Sequence, residues 1–166
     1  MDSNQTLPGS AGGGGAFPVL RVERAGMCIT NDPASLDLTA IHAYLTRSYW
    51  ATGIALDVVE QSVRNSLCFG LFGTEGQQIG CARFVTDYAT FAYLCDVYVL
   101  EAYRGQGLGK WLMEVVLTYP PLLGMRRILL ATRDAHGLYA QYGFEPHPRP
   151  ENLMQIHRPD VYRVDR

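Results

Sequence analysis

The spacing of apolar positions predicts two helices in the first part of the chain. Across residues 31–50 the apolar side chains recur every three or four positions, and one helical face carries Leu38, Ile41, His42 and Leu45. Asp37 stands just before this face, where a side-chain oxygen can cap the first turn. A second, shorter helix fits residues 55–66, and Asn65 and Ser66 end it because both residue types favour turns over helix interiors.

Three extended segments follow, each rich in β-branched and aromatic residues. They cover residues 67–73, 78–87 and 90–100. The segments are separated by short stretches of turn-forming residues, such as residues 74–77. Short turns between consecutive strands favour antiparallel pairing. The pattern therefore predicts an antiparallel meander.

A third helix begins after a glycine-rich turn. It is predicted from about Leu108 to Tyr119, and Pro120 and Pro121 stop it because neither can continue a hydrogen-bonded helix. Its apolar face carries Leu108, Leu112, Val115 and Val116.

The rest of the chain alternates between strand and helix. Residues 126–132 predict a buried strand, residues 134–143 a short helix closed by Gly143, and the segment through residue 158 one more strand. The predicted order is ααβββαβαβ, in which a meander is followed by a β-α-β crossover. This order indicates an α+β or mixed α/β fold with helices flanking a mostly antiparallel sheet.

Composition divides the chain into two parts. Residues 1–16 are polar and glycine-rich and cannot bury a core, so we expect a disordered leader or a segment added for expression. Hydrophobic residues make up 48% of the chain, which is enough for one well-packed domain over residues 17–166.

Charge and hydropathy restrict the partners. The net charge is −2 at pH 7 and no stretch is dense in Lys or Arg, so we expect neither a nucleic acid nor a membrane surface as a partner. The chain lacks an apolar run of the roughly 18 residues that a membrane span needs. It also lacks a signal peptide, and we expect a cytoplasmic location. The sequence leaves open whether the chain forms a homodimer.

The cysteines and histidines predict no metal site. Cys28, Cys68, Cys81 and Cys95 form no CxxC pair, and the pattern favours buried free thiols in a reducing compartment. The four histidines form no HxxxH pair, so we expect no bound metal.

The glycines before the third helix predict an anion site. Gly105, Gly107 and Gly109 fall at the helix N-terminus, where backbone N–H groups lack partners and the helix dipole is positive. Missing side chains let a phosphate approach that backbone closely. The alternative is a tight turn whose glycines serve packing.

Two well-known phosphate loops are excluded by single positions. A P-loop needs glycine where Arg104 stands and Ser or Thr where Trp111 stands. The dinucleotide fingerprint GxGxxG needs glycine where Lys110 stands.

The chain resembles the GNAT superfamily of N-acetyltransferases over roughly residues 17–158. Its acyl-CoA loop motif V-x-x-x-x-[RQ]-x-x-G-x-[GA] is matched by Val99, Arg104, Gly107 and Gly109. A second family motif, L-Y-x-x-x-G-F, is matched by Leu138, Tyr139, Gly143 and Phe144. The resemblance implies a sheet splayed by a bulge in the family's fourth strand, with acetyl-CoA as co-substrate in the V-shaped gap.

The resemblance also implies which residues bind the cofactor. The backbone of residues 97–99 is expected to pair with the pantetheine arm as an added strand would, and the N–H groups of residues 104–110 are expected to bind the pyrophosphate. The implied cofactor-binding residues are Val97, Tyr98, Val99, Arg104, Gly105, Gln106, Gly107, Leu108, Gly109 and Lys110. Lys110 is equally well explained as a solvated side chain.

Two residues are candidates for catalysis. Tyr139 occupies the position of the family's general acid, and the alternative is that it packs one helix face and anchors CoA sterically. Many family members carry a Glu on the fourth strand where this chain has Tyr93. Asp96 is then the nearest acidic group, and it could orient or deprotonate the amine or hold a loop N–H. A water relay without a dedicated base is a further alternative.

Three more residues are candidates for the acceptor side. Tyr49 and Trp50 lie between the first two helices, where they could bind the acceptor or close the core. Arg83 could face a negative group of the acceptor or solvate the sheet surface. Asp134, just before the last helix, is most simply its N-cap.

Acetyl transfer from acetyl-CoA to a primary amine, by direct attack in a ternary complex, is the function that the resemblance implies. A small metabolite is the expected acceptor. The alternatives are a non-catalytic acyl-CoA-binding regulatory domain and a phosphopeptide-binding module that binds no CoA.

Overall fold

The structure, a computed structural model, describes residues 17–163. The predicted leader, residues 1–16, lies outside the described residues. Within them, six strands form one sheet, and no helix is both long and apolar enough to cross a membrane.

The sheet contains the predicted meander and continues beyond it on both sides. Its order is β1-β2-β3-β4-β5-β6, antiparallel throughout except for the parallel pair β5–β6. The strands are β1 (Arg21–Arg24), β2 (Met27–Thr30), β3 (Leu67–Phe72), β4 (Gln78–Thr86), β5 (Phe91–Val99) and β6 (Arg127–Leu130). This mixed, mostly antiparallel sheet confirms the predicted fold class.

The first two strands are absent from the predicted order. β1 and β2 have four residues each, and β1 is mostly exposed, so neither shows a clear alternation of apolar and polar positions. They are joined by Ala25 and Gly26, which both have positive φ (49° and 78°). Such a two-residue turn is typical of tight hairpins.

The helices cover both faces of the sheet. They are α1 (Leu38–Leu45), α2 (Leu56–Arg64), α3 (Leu108–Leu117), α4 (Pro120–Leu123) and α5 (His136–Ala140). Asp37 caps α1 as predicted, because its carboxylate accepts a hydrogen bond from the Ala40 N–H at 2.9 Å. α3 packs over one face with a cluster that includes Phe69, Phe84 and Leu112, and α1 and α2 pack over the other with Ile41 and Val59.

The end of α3 differs from the prediction. The helix stops at Leu117, and Pro120 begins the separate helix α4 instead of a turn. Proline suits the first position of a helix because its missing N–H would have no partner there.

The predicted last strand is wrong within the described residues. After α5 the chain contains only a single 3₁₀ turn, Pro150–Asn152. Pro146, Pro148 and Pro150 lack the N–H groups that a sheet ladder needs. Met154 and Ile156 are 97% and 85% exposed, so no packing draws this segment to the edge of β6.

A bulge divides β5 into two halves. Cys95 pairs with Arg83, but Tyr98 pairs with Cys81, so two residues of β5 stand opposite one residue of β4. Asp96 lies at this point with φ of +51°. β6 pairs only with residues 91–94 of β5. The sheet therefore opens after Leu94, as the fourth-strand bulge of the resemblance implies.

Candidate active site

The opening in the sheet is a cleft of about 900 Å³. It is lined by the end of α1, the α1–α2 loop, the second half of β5, the β6–α5 loop and α5, and by Arg104 and Gly109 at the two ends of the glycine loop. Most of the residues predicted for the site come from these segments, although they are far apart in sequence. The predicted site residues that do not line it are Arg83, Gly105, Gln106, Gly107, Leu108 and Lys110.

The second half of β5 presents a backbone edge to the cleft that pairs with no strand among the described residues, although its Val99 carbonyl already accepts a hydrogen bond from the Arg104 side chain. The Leu100 N–H donates to the Ile79 carbonyl at 2.8 Å, on the β4 side. Because backbone groups alternate along a strand, the N–H and C=O groups of Val97 and Val99 point to the opposite side, into the cleft. The Tyr98 side chain is buried and stacks on Tyr44 with ring centroids 3.8 Å apart.

The glycine loop leaves the start of α3 open. Gly105 and Gly107 have φ of +76° and +74°, which favours glycine, and Gly107 is the N-cap without any side-chain capping bond. A Cβ built at Gly105, Gly107 or Gly109 would meet no atom within 4 Å. The glycines are therefore not needed for close packing within residues 17–163, which removes the main support for the tight-turn alternative.

The other residues of the loop differ in what they can offer a ligand. Gln106 and Lys110 are exposed, whereas Leu108 is buried and can contribute only its backbone. The Arg104 side chain donates to the Val99 carbonyl at 2.9 Å and to the Tyr44 hydroxyl at 3.0 Å. Arg104 thus ties the loop to β5 and α1.

Tyr139 lies on α5 and borders the cleft. It is 8% exposed, and its ring packs edge-on against Phe144. Burial, reinforced by Tyr49 and Asp134, raises the pKa of Tyr139 to about 12. The phenol is therefore protonated throughout the neutral range. Within residues 17–163 the Tyr139 hydroxyl has no hydrogen-bond partner. Every buried side-chain N or O atom there has one, so this hydroxyl is not itself buried.

Asp96 and Arg83 form a buried ion pair beside the cleft. The Arg83 Nε donates to Asp96 Oδ2 at 2.7 Å, and the two side chains are only 16% and 9% exposed. The Trp50 indole N–H donates to Asp96 Oδ1 at 3.0 Å, and Arg83 also donates to the Ser66 hydroxyl. The alternative that Arg83 solvates the sheet surface is therefore wrong.

Burial and pairing act in opposite directions on the charge of Arg83. Burial is the largest influence and disfavours the charged form, but Asp96 and the neighbouring thiols Cys95 and Cys68 outweigh it and raise the pKa of Arg83. The guanidinium is therefore charged, and both Asp96 oxygens already accept hydrogen bonds.

Tyr49 and Trp50 lie on the α1–α2 loop, as predicted, and both border the cleft. They pack edge to face at 4.9 Å and are 52% and 40% exposed. The guanidinium carbon of Arg133, from the β6–α5 loop, lies 3.9 Å from the centre of the Tyr49 ring. This contact joins the two walls of the cleft.

The predicted capping role of Asp134 is wrong. The N-cap of α5 is Ala135, and no side chain caps the helix. The Ala135 N–H donates instead to the Thr132 hydroxyl at 3.0 Å, so the Asp134 side chain is left exposed on the cleft.

Several cleft residues were not singled out from the sequence. Tyr44 follows Ile41 by three positions, so helical periodicity could have placed it on the same buried face. Arg47 and Glu101 form a two-bond ion pair across 54 residues, which no local pattern indicates. The only sequence feature that could have indicated a place for Arg133 in the cleft is its closeness to the L-Y-x-x-x-G-F motif.

The cysteines of the described chain are free thiols. Cys28, Cys68 and Cys81 are buried as predicted, while Cys95 is half-buried on the cleft. No group of three or more His, Cys, Asp or Glu side chains that could hold a metal occurs in the described part of the chain.

Comparisons with known proteins place this geometry in a family. The sequence profile of the acetyltransferase (GNAT) family matches residues 34–144. A candidate acetyltransferase of Gibberella zeae is 33% identical, with 71% of this chain and 78% of that protein aligned.

Solved structures agree with the sequence profile. A crystal structure of a candidate GNAT-family acetyltransferase from Xanthomonas campestris pv. campestris is 46% identical, covers 83% of this chain and 97% of its own, and superposes with a TM-score of 0.80. A GNAT-family acetyltransferase of Elizabethkingia anophelis, crystallised with acetyl-CoA bound, shares the fold at 17% identity and a TM-score of 0.55 over 74% of this chain and 78% of its own.

The buried ion pair yields a prediction about stability. Asp96→Ala leaves the Arg83 guanidinium buried without its counter-charge, so the free energy of unfolding, measured in urea, should fall by about 3–5 kcal/mol. Glu101→Ala is the matched control, since it breaks the exposed pair with Arg47, and it should cost about 1 kcal/mol or less. Equal losses in the two variants would show that the Arg83–Asp96 pair is not buried in solution.

Proposed function

The chain belongs to the acetyltransferase (GNAT) family, and from this premise we propose that it transfers an acetyl group from acetyl-CoA to a primary amine of a small-molecule acceptor. The reaction proceeds by direct attack of the amine on the thioester in a ternary complex. One observation carries the proposal: the free edge of β5, the uncapped start of α3 and the Tyr139 hydroxyl all meet the same cleft.

Acetyl-CoA fits the cleft through two sets of backbone groups. The pantetheine amides can pair with the backbone of Val97 and with the Val99 N–H, as an added strand pairs with a sheet edge, while the Val99 carbonyl is held by Arg104. The pyrophosphate can accept hydrogen bonds from the N–H groups of residues 105–110, where the helix dipole favours negative charge. The Elizabethkingia protein, which was crystallised with acetyl-CoA bound, shares this fold, and this likeness supports the proposal.

Direct attack is favoured over a covalent acetyl-enzyme. Cys95 borders the cleft, but burial raises the pKa of its thiol to about 12. A thiol in that state is protonated at neutral pH and is a poor nucleophile. The amine nitrogen therefore attacks the thioester carbonyl itself, the C–N bond forms, and the C–S bond breaks to release the CoA thiolate.

Tyr139 is the proposed donor to the departing thiolate. In water a thiol has a pKa of about 8.5 and a phenol about 10, so transfer from phenol to thiolate is uphill. Because its raised pKa of about 12 keeps the Tyr139 phenol protonated at neutral pH, the phenol always holds a proton to donate. We propose that this proton reaches the sulfur as the C–S bond breaks.

Asp96, Trp50 and Tyr49 form the proposed acceptor wall, and Arg83 lies behind Asp96 without lining the cleft. Asp96 is the acidic group on this wall, and its role toward the amine stays a prediction. Arg83 and Trp50 each donate a hydrogen bond to one Asp96 oxygen, so we propose that Asp96 holds the Trp50 side chain in place. Water then removes the proton of the amine. Tyr49 and Trp50 supply flat apolar faces for the acceptor.

The non-catalytic alternative is less well supported. Acetyl transfer gives a role to the Tyr139 phenol, which is protonated at neutral pH and borders the cleft, whereas binding alone uses only its ring. A non-catalytic domain would bind acetyl-CoA and release no CoA with any amine.

The loop can be tested at Gly109. Gly107 is unsuitable because its φ of +74° would strain any side chain. Gly109 lies in the first turn of α3 in open space, so Gly109→Val should fold normally while its side chain occupies the room of the pyrophosphate. We expect acetyl-CoA affinity, measured by calorimetry, to fall at least tenfold.

Gly124→Val is the control for this experiment. Gly124 also has open space around it, but it ends α4 away from the cleft. Its acetyl-CoA affinity should equal that of the wild type. Unchanged affinity in a folded Gly109→Val protein would exclude the loop as the pyrophosphate site.

Tyr139→Phe tests the donor, because it keeps the ring and removes only the hydroxyl. A positioned general acid typically contributes about 10²–10⁴-fold in rate, so kcat for CoA release should fall at least tenfold with acetyl-CoA affinity unchanged. Since a donor must be protonated and the pKa of Tyr139 is about 12, the ratio of wild-type to variant kcat should be constant from about pH 6 to 9.

Tyr142→Phe is the matched control. The Tyr142 hydroxyl donates to the Lys110 carbonyl at 3.0 Å, toward α3, and it does not border the cleft. Its removal should leave kcat within about threefold, since one peripheral hydrogen bond is worth about 1 kcal/mol or less. Equal kcat for Tyr139→Phe and the wild type, with chemistry rate-limiting, would leave Tyr139 as a packing residue.

A further inference from the structure

The charged side chains around the cleft divide into paired and unpaired groups. Those that line it are Arg47, Asp96, Glu101, Arg104, Arg133 and Asp134. Glu101 lies between Arg47 and Arg104, and Asp96 is paired with Arg83. Among residues 17–163, neither Arg133 nor Asp134 has a salt-bridge partner. Arg133 and Asp134 thus place an unpaired positive and an unpaired negative charge on consecutive residues. Because Arg47 and Arg104 share the single Glu101 carboxylate, one further positive charge remains on the other wall of the cleft.

Arg133 is held in a position suited to bind an anion. Its guanidinium carbon lies 3.9 Å from the centre of the Tyr49 ring, and among residues 17–163 its N–H edge has no hydrogen-bond partner. That edge is the part of arginine that forms paired hydrogen bonds with carboxylate or phosphate. The contact with Tyr49 also limits the motion of the side chain, so little further order is needed on binding.

Asp134 is placed to attract a cation near the reacting centre. It does not cap α5, because the Thr132 hydroxyl satisfies the Ala135 N–H. Its charge is close enough to the Tyr139 hydroxyl to contribute, after burial and Tyr49, to the raised pKa of that phenol. Asp96 is a weaker attractant for an ammonium group, since the Arg83 charge offsets its own.

We infer that the acceptor is an amine that also carries an anionic group, with Asp134 facing the ammonium and Arg133 binding the anion. The inference rests on the proposed acetyl transfer. The anion can be a carboxylate or a phosphate, because both match the arginine edge. Water takes the ammonium proton before attack, and the neutral amine then lies between Asp134 and the thioester.

Paired acceptors test the inference. The probes are phenylalanine and phenethylamine, leucine and isoamylamine, lysine and cadaverine, β-alanine and ethylamine, and glucosamine 6-phosphate and glucosamine. Within each pair the anion is the structural difference. Because a neighbouring carboxylate also lowers the pKa of the ammonium group, kcat/KM is compared per concentration of neutral amine. CoA release is measured at saturating acetyl-CoA, and in at least one class, carboxylates or phosphates, the anionic member should have a kcat/KM at least tenfold higher.

Variants of Arg133 then separate binding of the anion from other effects. Arg133→Gln should raise KM for the preferred anionic acceptor about tenfold with kcat nearly unchanged, and Arg133→Lys should restore part of the loss. The same variant should leave the kinetics of the anion-free member unchanged. Arg127→Gln, on the exposed start of β6 outside the cleft, is the control and should behave as wild type.

The outcomes distinguish the inference from the function on which it rests. If the anion-free amines are acetylated with equal or higher kcat/KM, or if Arg133→Gln changes both members of a pair alike, the inference is overturned while acetyl transfer stands. If acetyl-CoA binds but no amine of any pair releases CoA, acetyl transfer itself is overturned, and the inference with it.

Discussion

The ion pair between Asp96 and Arg83 is the interaction on which the site depends. In a regular strand the residue after Cys95 would stand opposite Ala82, on the face that packs against α3. A carboxylate there would be buried among apolar side chains without a partner, which is costly. The left-handed φ of Asp96 turns it instead to the face of Arg83, where the two charges meet at 2.7 Å.

This local solution has a consequence for the whole sheet. The extra residue in β5 bends the strand, and β6 pairs with it only as far as Leu94. The backbone edge beyond that point is left free, and the parting strands form the cleft. The same carboxylate holds the Trp50 indole at 3.0 Å, so the bulge also fixes one wall of the proposed acceptor site. A single buried charge thus links the shape of the sheet to the position of the site.

Sequence patterns predicted the features that depend on neighbouring residues. The meander, the Asp37 cap and the glycine loop were predicted because each depends on residues only a few positions apart, through periodicity or turn-forming residues. The hairpin β1–β2 was missed because its strands are too short for a pattern. The Arg83–Asp96 pair depends on a bulged register, and the Arg133–Tyr49 contact joins loops 84 residues apart, so neither has a local signal. Asp134 was misassigned because Ala135, one residue later, is the N-cap of α5, and the Ala135 N–H donates to the Thr132 hydroxyl.

Amide hydrogen exchange with and without acetyl-CoA tests most directly whether the free edge of β5 and the start of α3 bind the co-substrate. Binding should slow exchange at the N–H groups of Val99 and of residues 107–110, since each gains an acceptor. The N–H groups of β1 and β2, on the far side of the sheet, should be unaffected. Acetyl-CoA binding that left β5 and the loop unprotected, or that protected other segments only, would contradict the account.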